Sequence, residues 1–303
     1  MLRQTRAWIV VGAVILGCSP VAGAATPFGD FSLLDKTAQP FYDWVKDEAV
    51  FHTLKIEHVP FQGKCEGVLK SLSEWRPFSD SYKTGPEGFE ALDKSWAPWS
   101  ENDMDAITDC DSFPCKIKTN PKETDRVKVA KPDERKRKIF EIISARAVEY
   151  LKSRKRFEYD TPGVPLDPWI WLKQHDYPIG DALAKLKNPQ LYSRIYRFTD
   201  SGYRPIRQIL DLEMLKSGNR IDWFIKDIYT AHYFDGWGEW IRVECDEQKK
   251  DLRFVMSLAL DFDLFKNKDI LSVLGRPKMK EALSQNTEKY QGLQLSELKR
   301  KIK

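Results

Sequence analysis

The chain has 303 residues, with 49 Lys and Arg against 45 Asp and Glu and a formal net charge of +4. That near balance argues against a dedicated nucleic-acid binder, which carries a net basic face. The length suffices for a sizeable core in one large domain or two modest ones, and no segment offers the ~20 consecutive apolar residues of a spanning helix.

The first 24 residues have the pattern of an export signal. Arg3 and Arg6 make a positive start, Ala7 to Gly17 is apolar, and Ala22-Gly23-Ala24 is a small-residue cleavage site. Cleavage after Ala24 would leave residues 25–303 as one exported α+β domain, periplasmic or secreted, and would remove Arg3 and Arg6, taking the formal charge from +4 to +2. Ile15-Leu16-Gly17-Cys18 is the alternative: read as a lipobox, it makes Cys18 a lipid anchor and the protein a lipoprotein. The well-formed Ala-x-Ala site favours ordinary cleavage. Of the five cysteines, four then remain, Cys65, Cys110, Cys115 and Cys245, an even number suited to disulfides in an oxidising compartment.

Asp35 to Ala49 has helical spacing, with Phe41, Trp44, Val45 and Ala49 on one face. Val50 to Val59 partly alternates and predicts a strand that Pro60 stops. Cys65 to Trp75 predicts a short helix with Val68, Leu69 and Leu72 inward, and Arg76 to Asp109, interrupted by five Pro and Gly residues, predicts an irregular loop. Cys110 and Cys115, with four residues including Pro114 between them, suit a local disulfide, which would leave Cys65 to pair with Cys245. Four cysteines allow three connectivities.

Pro132 to Arg156 is the clearest helix, with Ile139, Phe140, Ile143, Ala147, Tyr150 and Leu151 as its apolar stripe. Its excess of Lys and Arg fits a solvated face or peripheral contact with anionic lipid headgroups. Asp160 to Pro168 predicts a bend, and Trp169 to Leu191 predicts two short helical pieces. The last third changes period: Ile206 to Lys216, the turn Ser217-Gly218-Asn219 and Ile221 to Tyr233 predict a hairpin. Gly238 to Cys245 and Leu252 to Phe262 add two strands, making an antiparallel meander. Helices over Pro277 to Tyr290 and Leu293 to Lys303, broken at Gly292, close the chain. The order predicts an α+β fold, with a curved antiparallel sheet in the C-terminal half packed against helices, like START or helix-grip folds by analogy.

Three segments carry a resemblance. Cys110-x4-Cys115-Lys-Ile-Lys, Phe198-x3-Gly202-Tyr203-Arg204-Pro205-Ile206 and Ile228-Tyr-Thr-Ala-His-Tyr-Phe234 resemble an uncharacterised family of exported bacterial proteins, over roughly residues 45 to 303. The resemblance implies export and this order of elements, and no particular reaction.

No nucleotide loop, metal cluster or catalytic triad stands out, so no cofactor, metal or catalytic residue is assigned. Ten tryptophans fit core packing or an aromatic-lined pocket. Trp223, Tyr229, His232 and Tyr233 are the candidate ligand-binding residues, and an apolar small molecule is the candidate partner. His232 reads as a satisfied core histidine, as the polar anchor of a ligand cavity, or as a general base with Asp235 or Glu239. Binding of an apolar or amphipathic ligand is the leading reading. An envelope hydrolase built on His232 and a pocketless interaction module are the alternatives.

Overall fold

The computed structural model describes residues 41–44, 50–75, 82–84, 118–154, 184–187, 189–196, 206–230, 234–262 and 276–302. Its frame is one eight-stranded antiparallel sheet. In chain order the strands are β1 (Phe41–Trp44), β2 (Val50–Pro60), β3 (Tyr82–Thr84), β4 (Gln190–Tyr196), β5 (Ile206–Ser217), β6 (Arg220–Thr230), β7 (Phe234–Asp246) and β8 (Asp251–Phe262). The helices are α1 (Cys65–Ser73), α2 (Pro121–Lys128), α3 (Pro132–Ser153) and α4 (Arg276–Ile302).

The predicted meander is β5 to β8, with tight turns between β5 and β6 and between β7 and β8. Gly218 takes a φ of 59° between Ser217 and Arg220, a left-handed conformation that costs glycine no Cβ clash. At the next hairpin the Asp246 carboxylate accepts from the backbone N–H groups of Gln248 and Lys249, at 3.1 and 3.0 Å. The Lys249 amide foremost among these groups holds the Asp246 carboxyl below its ordinary value. The meander is only half of the sheet. β2 runs antiparallel to β8 over eleven residue pairs, from Val50↔Asp261 to Pro60↔Asp251, so the first long strand lies beside the last. The order across the sheet is β1-β2-β8-β7-β6-β5-β4-β3.

The faces follow from the period of two. One face carries Phe51 of β2, Leu252, Phe254, Met256 and Leu258 of β8, Ile241 and Val243 of β7, and Ile221, Trp223 and Ile225 of β6, in one buried cluster. Val68, Leu69 and Leu72 of α1 and Leu295 and Leu298 of α4 close over it. Each such side chain contributes about 1.5–3 kcal/mol on burial. Trp75 packs edge-on to Trp223, ring centres 5.3 Å apart. The intervening residues Asp211, Glu213 and Lys226 face the other way, where Tyr150 and Arg154 at the end of α3 meet them.

Several expectations change. Phe41–Trp44 is a strand and not part of a helix: it pairs with Phe51–Leu54, and the neighbouring strand overrides local helical spacing. Tyr82–Thr84, inside the predicted irregular loop, pairs with Leu191–Ser193. Leu191 belongs to a strand, because Pro189 ends any preceding helix and the residues after it pair with β5. The two C-terminal helices are one continuous α4, running through Gly292. Helix α2 is an addition to the expected elements, although its capping box is visible in the sequence: Asn120 accepts from the Glu123 amide and Glu123 from the Asn120 amide, with Pro121 at the first position. Cys110, Cys115, the bend at Asp160–Pro168 and most of the helical pieces after Trp169 lie outside the described residues.

The disulfide Cys65–Cys245 is present, its Cα atoms 5.8 Å apart. Two further contacts hold the same corner. Glu247 accepts from the Cys65 amide at 3.3 Å, and Asn219 exchanges bonds with the Cys245 backbone at 2.8 and 2.9 Å.

Candidate functional site

The sequence candidates part company in the fold. Trp223 and Tyr229 are both fully buried, and six residues apart on a regular strand they would share a face. The register between β5 and β6 shifts, Ile209 pairing with Tyr229 and Leu210 with Asp227, so Ile228 is an extra residue. The bulge reverses the alternation and sends Tyr229 to the α3 side. There its hydroxyl donates to the Lys118 carbonyl at 3.3 Å, and the Arg146 guanidinium lies 5.6 Å from its ring centre. Arg146 in turn pairs with Glu123 of α2. Trp223 borders a small cavity of about 160 Å³ with Gln190, Leu212, Glu213 and Met214. His232 and Tyr233 lie outside the described residues.

The α4 face of the sheet holds a polar group that no single motif announces. Thr53 pairs with Leu258, and Leu258 pairs with Glu239, so the three sit side by side on β2, β8 and β7. Residues of α4 lie above them. Tyr290, Gln291 and Gln294 recur at helical spacing with Leu295 and Leu298 on its inner face. The Tyr290 hydroxyl and the Gln294 Nε2 both donate to Glu239 Oε2, at 3.1 and 3.0 Å. Gln294 Nε2 also lies 2.9 Å from the Tyr290 oxygen, and Gln291 Nε2 donates to Thr53 Oγ1 at 3.1 Å. Glu239 and Gln291 are 0% exposed and Gln294 is 3% exposed. The Oε1 atoms of Gln291 and Gln294 are buried without a hydrogen-bond partner. Trp237 stands edge-on to Tyr290, 6.5 Å between ring centres, and Met256, Leu258 and Leu260 supply apolar surroundings. The signals visible in the sequence are an acid inside the apolar strand Gly238–Cys245 and glutamines on the apolar stripe of α4.

Other polar clusters among the described residues lie outside this group. Behind the sheet, Tyr150 donates to Asp211, Arg154 Nη1 lies 3.0 Å from Asp211, and Arg154 also pairs with Glu213. Burial pushes the Asp211 carboxyl up to about 6, Glu213 adding to the rise while the Tyr150 hydrogen bond, Arg154 and Lys226 oppose it. Burial, then the Asp211 charge, pushes the Tyr150 hydroxyl well above its ordinary value, so it remains a donor. At the hairpin end an open cleft of about 730 Å³ is bordered by His58, Arg220, Glu244, Asp251, Arg253 and the disulfide. His58 Nδ1 and Asp251 make a 2.5 Å contact there. His52 Nε2 lies 3.2 Å from Ser257 Oγ, but both residues are 0% exposed, which suits a core hydrogen bond and denies a substrate access.

No family model, curated protein or solved structure gives a significant match to the chain. Among the described residues no group of three or more His, Cys, Asp or Glu side chains is arranged to hold a metal ion, and no helix is long and apolar enough to cross a membrane.

Proposed function

We propose that the protein is an exported envelope protein that holds an amphipathic small ligand between α4 and the sheet, in the manner of a helix-grip fold. The fold comparison is one of architecture: a long C-terminal helix lies over an antiparallel sheet whose first long strand pairs with its last. The single observation that carries the reading is the buried polar group of Glu239, Gln291 and Gln294 with half-buried Tyr290, set in an apolar interface with two amide oxygens unmatched. A buried acceptor without a donor costs roughly 1–3 kcal/mol, and such a group in a native core calls for a bound molecule or water. Export is supported by the signal-like first 24 residues and by a disulfide, which persists in oxidising compartments. The kinship with exported bacterial proteins belongs to the same proposal.

Native mass spectrometry of the protein purified from its own envelope fraction tests the reading. A chain beginning at Ala25, with an extra apolar mass that denaturation releases, is the expected result. An acylated start at Cys18 would move the protein to a membrane surface, and a bare mass from gently prepared material would remove the carrier reading.

A further inference from the structure

We infer that the head of the ligand beneath α4 is a hydrogen-bond donor, an ammonium group, and not a carboxylate or phosphate. This rests on the binding reading above and specifies its chemistry. Donors and acceptors in the group do not balance. Both N–H groups of Gln294 are committed, to Glu239 Oε2 and to the Tyr290 oxygen, and one N–H of Gln291 is committed to Thr53. A carboxylate only accepts, so the contact with Glu239 orients the Gln294 amide with its nitrogen toward the acid and its oxygen away. Two buried amide acceptors of α4 stay open, the Oε1 of Gln294 and the Oε1 of Gln291.

The two glutamines stand three residues apart on one helix, so their side chains are neighbours. Below them Leu258 separates Thr53 from Glu239 across three adjacent strands, a span of about 10 Å at the usual strand spacing. A primary ammonium offers three donors and no acceptor, the complement of this set. A carboxylate or phosphate would set oxygen against oxygen beside an acid already buried. The alkyl part would lie among Trp237, Met256, Leu258 and Leu260 of the same face.

The test is a head-group series at constant chain length: dodecylamine, dodecanol and dodecanoate, each below its micelle concentration, titrated into the full, oxidised protein and read by calorimetry and tryptophan fluorescence. The formal net charge of the chain is positive, so non-specific attraction favours dodecanoate, and a preference for the amine has to arise locally. Hydrogen bonds to charged groups are worth enough to predict that dodecylamine binds at least about tenfold more tightly than dodecanoate, with dodecanol between them. Gln294→Leu and, separately, Gln291→Met should each shrink that ratio several-fold while leaving dodecanol nearly unchanged. Dodecanoate binding as tightly as dodecylamine to the wild-type chain would overturn the donor-head inference and leave the carrier reading standing. Failure of all three to bind would overturn both.

Discussion

Asp222 collects its partners on a carboxylate that is 1% exposed: Arg242 Nε at 2.7 Å, Trp240 Nε1 at 2.9 Å and Arg220 Nε at 3.0 Å. The Arg242 guanidinium also lies 4.6 Å from the Trp240 ring centre. Removing one member of a buried charged group leaves the others desolvated and unmatched, so Asp222→Ala should cost about 3–5 kcal/mol in urea unfolding. A cost below about 1 kcal/mol, the range of an exposed pair, would mean that solvent reaches Arg242 more freely than its burial implies. Gly292 gives the opposite sign. It lies in the body of α4, and a Cβ built there meets nothing within 4 Å, so packing does not demand glycine. Gly292→Ala should stabilise the protein by about 0.5–1 kcal/mol, seen as a higher melting temperature, because alanine loses less backbone entropy in a helix. The glycine adjoins Gln291, beside the polar group proposed to bind a ligand. A lower melting temperature for Gly292→Ala would show that the site is tighter than its geometry indicates.

At the scale of elements, α3 is fastened to β5 and β6 by Tyr150, Arg154, Asp211, Glu213 and Lys226, and this makes stability depend on pH. Asp211 titrates at about 6 when folded, against an ordinary value of 3.8. Its proton is held more tightly in the native protein, so the contribution is complete below about pH 4 and is lost as pH rises through about 6. The difference in unfolding free energy between wild type and Asp211→Asn should therefore fall by about 3 kcal/mol from about pH 4 to about pH 7. A flat difference would mean that the Tyr150 hydrogen bond, Arg154 and Lys226 together offset burial fully. The fastening also indicates what a sequence conceals. Strands β5 to β8 are legible because each alternates and turns at Gly218 or Asp246, and α3 because its stripe is long. β1, β3 and β4 are not, since they span only four, three and seven residues and are defined by the strand beside them. Among the candidate residues, the bulge at Ile228 defeats parity and separates Trp223 from Tyr229. Glu239, Gln291 and Gln294 become a group only where α4 crosses β7 and β8, a placement that no local pattern encodes.

For the molecule as a whole, the Cys65–Cys245 bridge joins residues 180 positions apart. In the chain-entropy model a loop of that length is worth about 5 kcal/mol, comparable with the whole net stability of many domains. Its effect should be uneven. The bridge pins the start of α1 to the end of β7, and α1 in turn supports the last turns of α4: Ser71 donates to the Lys301 carbonyl at 2.8 Å and Trp75 Nε1 to Glu297 at 3.3 Å. Lys299 extends the contact to Glu57 of β2. The paired variant Cys65→Ala, Cys245→Ala should therefore lose several kcal/mol in global unfolding and, under native conditions, show faster hydrogen exchange in α1 and in residues 293–302 of α4 than in β5 and β6. The half of α4 that bears Tyr290 and Gln291 rests on β7 and β2 through Glu239 and Thr53 and makes none of the α1 contacts of Ser71 and Trp75, so loss of the bridge should accelerate its exchange less than that of residues 293–302. Equal acceleration along all of α4 would mean that the helix opens as one unit, with Gly292 offering no point of division. Acceleration confined to α1 would mean that the contacts of Ser71 and Trp75 do not carry the effect of the bridge to the C-terminal helix.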